Sequence, residues 1–185
     1  MTFESDLIER ARCFDQNALG EIYDRYSPGI YRYALHLLGD PQQAEDCTED
    51  TFTRYLQALC DGGGSGDHLQ AYLYRIAHNQ IIDTYRRQPP PPLSLFDDLP
   101  GSEPELMETI VDQIDKEQVR AALVYLTPEQ RQVIVLKYLE GLENDLVAIV
   151  LKKPVGAIKS LQHRALIALR RILLPHEEEG YERSE

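Results

Sequence analysis

Six basic side chains, Lys152, Lys153, Lys159, Arg164, Arg170 and Arg171, fall between positions 152 and 171 with no acid among them. Such a stripe is where phosphate docks, whatever the total charge. It begins at Pro154-Val155-Gly156, where little side chain covers the backbone, and continues with Lys159, Ser160, His163 and Arg164. These groups can bind phosphates or base edges. A second stretch, Tyr72 to Arg87, interleaves aromatics with Arg, His and Asn. Aromatic rings stack on unpaired bases and arginines hold the backbone, so Asn79, Arg86 and Arg87 are nucleic-acid candidates. A third is acidic: Glu45, Asp46, Glu49 and Asp50, at i, i+1, i+4 and i+5, make one negative helix face suited to a basic helical partner. Each has a plainer reading. A basic amphipathic helix is also a solvated face, Tyr72 shares a stripe with Ile76 as a core residue would, and acids suit a helix start.

Enzymatic chemistry finds no support. No nucleophile–base pair, phosphate loop or metal-ligand spacing appears, so neither a catalytic residue, a metal nor a cofactor is expected. Cys13, Cys47 and Cys60 form no CxxC pair, and Cys47 occupies an apolar helical position suited to a reduced core thiol. The N-terminus is acidic and no apolar run approaches a membrane span, which reads as a cytoplasmic protein without membrane insertion. The net charge of −12 opposes DNA binding only until it is resolved along the chain. Residues 89–118 hold one basic and eight acidic groups, net −7, whereas the 152–171 stripe is wholly basic.

The elements that must position these groups are helices. Leu19, Ile22, Tyr23 and Tyr26 recur as one buried stripe, and Ser27-Pro28 offers the start of another helix through Leu38. Asp40-Pro41 repeats that start signal, and the helix it opens runs to the Gly-rich loop at 61–66. A further helix spans roughly 68–87. Pro89 to Pro92 then break it, and residues 89–111 read as an acidic linker. Helices resume near 112. Thr127-Pro128-Glu129-Gln130 signals a capped start, and a short helix at 144–151, a break at Lys152-Lys153-Pro154 and a longer helix at 155–173 make a helix-turn-helix pattern. The fold class is all-α, in two small helical domains at 1–88 and 112–174, with an acidic tail at 175–185.

In this order the parts resemble the extracytoplasmic-function sigma factors of the sigma-70 family, over roughly residues 18–87 and 112–171. Leu19 to Leu38, Asp40 to Leu59, Tyr72 to Arg87, Leu126 to Arg131, and Pro154-Val155-Gly156 with Lys159-Ser160 and His163-Arg164-Ala165 carry the likeness. It implies a non-enzymatic subunit that directs core RNA polymerase to promoter DNA. Glu45, Asp46, Glu49, Asp50 and Phe52 would bind the polymerase. Tyr74, Arg75, Asn79, Asp83, Arg86 and Arg87 would melt and read the −10 element. Lys153, Pro154, Val155, Gly156, Lys159, Ser160, His163 and Arg164 would serve the −35 element, and the linker's acids would imitate RNA in a basic channel.

The chain departs from the family's pattern in the helix-turn-helix. Leu146 and Ile149 stand where acidic residues are usual, Lys152 stands at the turn's usual glycine, and Leu161 replaces a basic residue. Six consecutive apolar residues, Leu146 to Leu151, exceed one buried face, so an apolar interface is expected with an anti-sigma factor or a second copy. Two other readings remain open: a stand-alone helix-turn-helix regulator, and a sigma-like protein-interaction module without promoter reading.

Overall fold

Side-chain caps set where the helices begin in the computed structural model, which describes residues 3–64, 68–88 and 116–173. In the first lobe α1 spans Phe3–Arg12, α2 Gln16–Leu38, α3 Pro41–Cys60 and α4 Leu69–Arg87. Asp15 opens α2 by accepting the amides of Asn17 and Ala18, and its carboxylate also binds Arg10 at 2.9 Å, tying α1 to α2. Asp40 accepts the Gln43 amide at 2.8 Å, with Pro41 in the first turn of α3. Gly39 closes α2 in the left-handed region, at φ 72°.

The start signal at Ser27-Pro28 does not open a new helix. Pro28 lies inside α2. It removes the N–H that would bond the Asp24 carbonyl, but both residues are exposed, so water replaces the lost donor and the helix continues. The stripe before it also needs correction. Ile22 is buried and Leu19 and Tyr26 are half-buried, yet Tyr23 is 46% exposed.

In the second lobe α5 spans Lys116–Ala122 and leads through a 3₁₀ turn, Leu123–Tyr125, to α6, Pro128–Ile134. Thr127 and Gln130 form the reciprocal capping box that the sequence signals. The end of α6 widens into a π turn over Val135–Leu139, before Gly141 at φ 75°. Then come α7, Asn144–Leu151, and α8, Val155–Leu173. The onset near 112, the linker and the acidic tail lie outside the described residues. Every regular element among those described is a helix, as an all-α reading requires.

Between α7 and α8 the chain turns at Lys152, in the left-handed region at φ 53° and ψ 43°, with its N–H bonded to the Ala148 carbonyl. A side chain with a Cβ costs about 1 kcal/mol in that conformation. Lys152 is exposed, and the turn needs only its backbone. Lys152→Gly should therefore raise the unfolding free energy by roughly 0.5–1 kcal/mol, read from the urea midpoint.

The two lobes share one continuous core, in which Tyr33, Leu73 and Ile81 of the first join Leu136, Val147 and Val150 of the second. Helix α7 is the piece that joins them, packed against α8 on one side and α4 on the other. A helix sandwiched in this way needs apolar residues around most of its circumference. Val147, Val150 and Leu151 are buried, and Leu146, Ala148 and Ile149 are half-buried against the same core. The apolar surplus of α7 thus meets the chain's own first lobe.

Candidate functional site

The basic candidates sit on the solvent side of α8. Its buried side is apolar, with Ile158, Leu161, Ala165, Leu166 and Leu169 in the core. Leu161 is therefore a packing residue and reaches no ligand. On the opposite side Pro154, Gly156, Lys159, Ser160 and Arg164 are exposed, while Lys153, Val155 and His163 are half-buried. The amides of Ala157 and Ile158 both bond the Pro154 carbonyl, which fixes where the helix begins.

Gly156 has no internal reason to be glycine, since a Cβ there would meet nothing within 4 Å. The helix gives up about 1 kcal/mol relative to alanine at such a position. What the missing side chain provides is open backbone at the start of a basic helix. Ser160 donates its hydroxyl to the Gly156 carbonyl at 3.0 Å. Lys153 is paired with Glu129 at 2.9 Å. Among the described residues no carboxylate pairs with Lys159 or Arg164, so their charge faces outward.

In the first lobe, Glu45, Asp46, Glu49 and Asp50 are all exposed on α3. Asp46 accepts from Gln42 at 3.1 Å and Asp50 lies 3.8 Å from Arg54, contacts that leave most of the acidic face available. Phe52 does not share that face. It is 8% exposed and packs under Tyr23, with ring centroids 4.8 Å apart. Tyr23 and Leu56, the latter one turn beyond Phe52, are the exposed apolar residues here, at 46% and 40%. They are candidates that periodicity alone assigns to the core, because a rim residue and a buried one share the same spacing.

A groove of about 470 Å³ brings the acidic face together with the end of α4. Asp46, Glu49 and Asp50 line one wall, and Asp83 and Arg87 the other. Arg86 is paired with Asp83 at 3.3 Å, and Asn79 is exposed. Arg75 lies half-buried, its guanidinium 5.5 Å from the Tyr72 ring centre.

Tyr74 stands apart from these. It is 3% exposed, its ring against Tyr33 and its hydroxyl toward Glu140 of the second lobe. One turn further along α4, His78 is also buried, and its Nδ1 shares a hydrogen bond with the Tyr33 hydroxyl at 3.0 Å. Burial, then the charges of Lys152 and Lys153, push the imidazole down to about 4, so it is neutral in the folded protein. Burial holds the Tyr33 phenol well above its ordinary value, so it too is neutral.

Comparison with known proteins agrees with this layout. The Sigma-70 region 2 family matches residues 22–89, and Sigma-70, region 4 matches residues 116–169. The ECF RNA polymerase sigma factor SigW of Bacillus subtilis is 30% identical over 90% of this chain and 94% of its own length. BldN of Streptomyces coelicolor, also an ECF RNA polymerase sigma factor, is 32% identical over 91% of this chain, which spans 65% of that relative. Among solved structures, CnrH in complex with the cytosolic domain of CnrY superposes with a TM-score of 0.66 and 25% identity, over 90% of this chain and 94% of that one. The chain belongs to the ECF RNA polymerase sigma factors of the sigma-70 family.

Proposed function

We propose that the chain directs core RNA polymerase to promoter DNA, docking through the exposed acidic face of α3 and reading two elements, one with each lobe. Asn79, Arg86 and Arg87 on α4 would hold the −10 strand. Lys159, Ser160 and Arg164 on α8 would anchor the −35 element, Gly156 admitting the DNA backbone. The observation that carries this reading is the exposed acidic face of α3 in the same chain as a basic helix-turn-helix. A stand-alone DNA-binding regulator needs only the second of these. Catalysis would remain with the polymerase. No helix among the described residues is long and apolar enough to cross a membrane, and the protein would act where the polymerase is, in the cytoplasm. By its likeness to CnrH, held with the cytosolic domain of CnrY, it would also take a regulatory anti-sigma partner.

Reconstituted run-off transcription with core polymerase tests this. The expected result is discrete start sites that depend on the chain. Asp46→Lys with Asp50→Lys should lower their yield about 100-fold, as like charge meets a basic partner helix. Specific DNA binding without polymerase, and no transcription with it, would favour the stand-alone regulator.

A further inference from the structure

The lysine nearest the start of α8 does not share the freedom of its neighbours. Among the described residues no carboxylate pairs with Lys152, Lys159 or Arg164, whereas Lys153 Nζ lies 2.9 Å from Glu129 Oε1. The backbone fixes Lys153 before its side chain is placed. Its amide bonds the Ala148 carbonyl at 3.1 Å, and Pro154 after it disfavours helical backbone at 153. From the turn between α7 and α8 the half-buried side chain crosses to α6, where Glu129 is exposed.

Glu129 is not required for α6 to begin. Thr127 and Gln130 complete the capping box, with Pro128 in the first turn. An acid in that turn gains a little from the helix dipole, and an exposed ion pair adds little to stability. Neither effect is large. What the carboxylate does change is the charge offered by the helix-turn-helix. A cation strengthens DNA binding by displacing counterions from phosphate, and one already neutralised by a carboxylate displaces none. Glu129 also sets a negative charge beside the end of α8 that would enter the major groove.

We propose that Glu129 is a positioning residue that withholds Lys153 from DNA and so sets the phosphate affinity of α8. The proposal rests on the reading of α8 as the −35 helix. Phosphate contacts hold every sequence alike, so a surplus of them captures any duplex without improving choice. With Lys153 withheld, Lys159 and Arg164 carry the outward charge, on the same exposed face as Ser160 and the open backbone at Gly156. The grip is one that can be tuned. Both partners keep contact with water, so the pair costs little to form or to lose, and a single substitution at Glu129 releases one cation at the helix start.

The test is the salt dependence of binding, with the full chain on core polymerase and a promoter fragment between about 0.05 and 0.2 M salt. Glu129→Gln should bind about 3- to 10-fold tighter at the lower salt and steepen the slope of log affinity against log salt by about one unit. Lys153→Ala alone should leave the slope near that of wild type. The double variant should also keep the wild-type slope, because the released lysine, and not the missing acid, makes the new contact. Glu129→Asp, which keeps the charge, should return the slope toward wild type. Circular dichroism and the urea midpoint check folding, which a purely structural role would move without touching the slope. An unchanged slope for Glu129→Gln, or a steepening that survives Lys153→Ala, would overturn the proposal. A wild-type chain that binds no promoter with core polymerase strikes the sigma-factor reading alone. The variants are then compared as free chains on a short duplex of unrelated sequence at low salt. The same one-unit difference is expected there, and its absence would show that Glu129 withholds nothing.

Discussion

Replacing Lys159 and Arg164 together by alanine should weaken promoter binding by the polymerase-bound chain about 10- to 100-fold near physiological salt. Both side chains are exposed on the outer face of α8, beside the open backbone at Gly156. Each cation that neutralises a phosphate releases a counterion, so the pair should account for about two units of the slope of log affinity against log salt. The loss should be nearly uniform across promoters, because phosphate contacts carry no base identity. Lys137 is the control. It stands in the π turn rather than on α8 and is bonded to Glu143 at 3.0 Å, and Lys137→Ala should leave the slope unchanged. Affinities measured between 0.05 and about 0.2 M salt decide the matter, and an unchanged slope for the double variant would remove α8 from the DNA interface.

Acid should weaken the fold through His78. Its folded value of about 4 lies below the ordinary histidine value of 6.5, because burial and the nearby Lys152 and Lys153 disfavour the imidazolium. Between those two values the unfolded chain binds a proton that the folded chain refuses. The stabilisation is complete above about pH 6.5 and is lost as pH falls toward 4, reaching roughly 2–3 kcal/mol at pH 4.5. Urea unfolding at pH 7, 5.5 and 4.5 should show that decline. His78→Gln should flatten it by a similar amount, since the carboxylates that also titrate are common to both proteins. Equal pH slopes for the two would show that His78 admits its proton without opening the seam.

Much of this architecture was legible locally. The bounds of α7 and α8 follow from a proline, a charged break and an apolar period. The Thr127 capping box and the Asp40-Pro41 start are signals contained within four residues. The same local grammar misleads at Ser27-Pro28, where only the solvent around the Asp24 carbonyl shows that a helix can run through proline. It misleads again at Tyr23, whose spacing matches its buried neighbours although it lies at the rim over Phe52. Leu146 and Ile149 announce that α7 must be covered, but no pattern in sequence says that α4 covers it. Glu140 carries no signal at all. Its partners Arg32 and Tyr74, and the Gly29 they close over, are remote in sequence and belong to the other lobe.

The position of α7 between α4 and α8 also bears on how such chains diversify. Val147 and Val150 sit in a core that both lobes line, so a substitution there answers to two neighbours at once. The lobes are then not freely interchangeable modules. A chimera joining this first lobe to the second lobe of a relative with acids in place of Leu146 and Ile149 would bring charge against α4. Recombination between relatives should therefore succeed where α4 and α7 are inherited together. Drift in one helix should be matched by drift in the other, even though the linker lies between them in the chain.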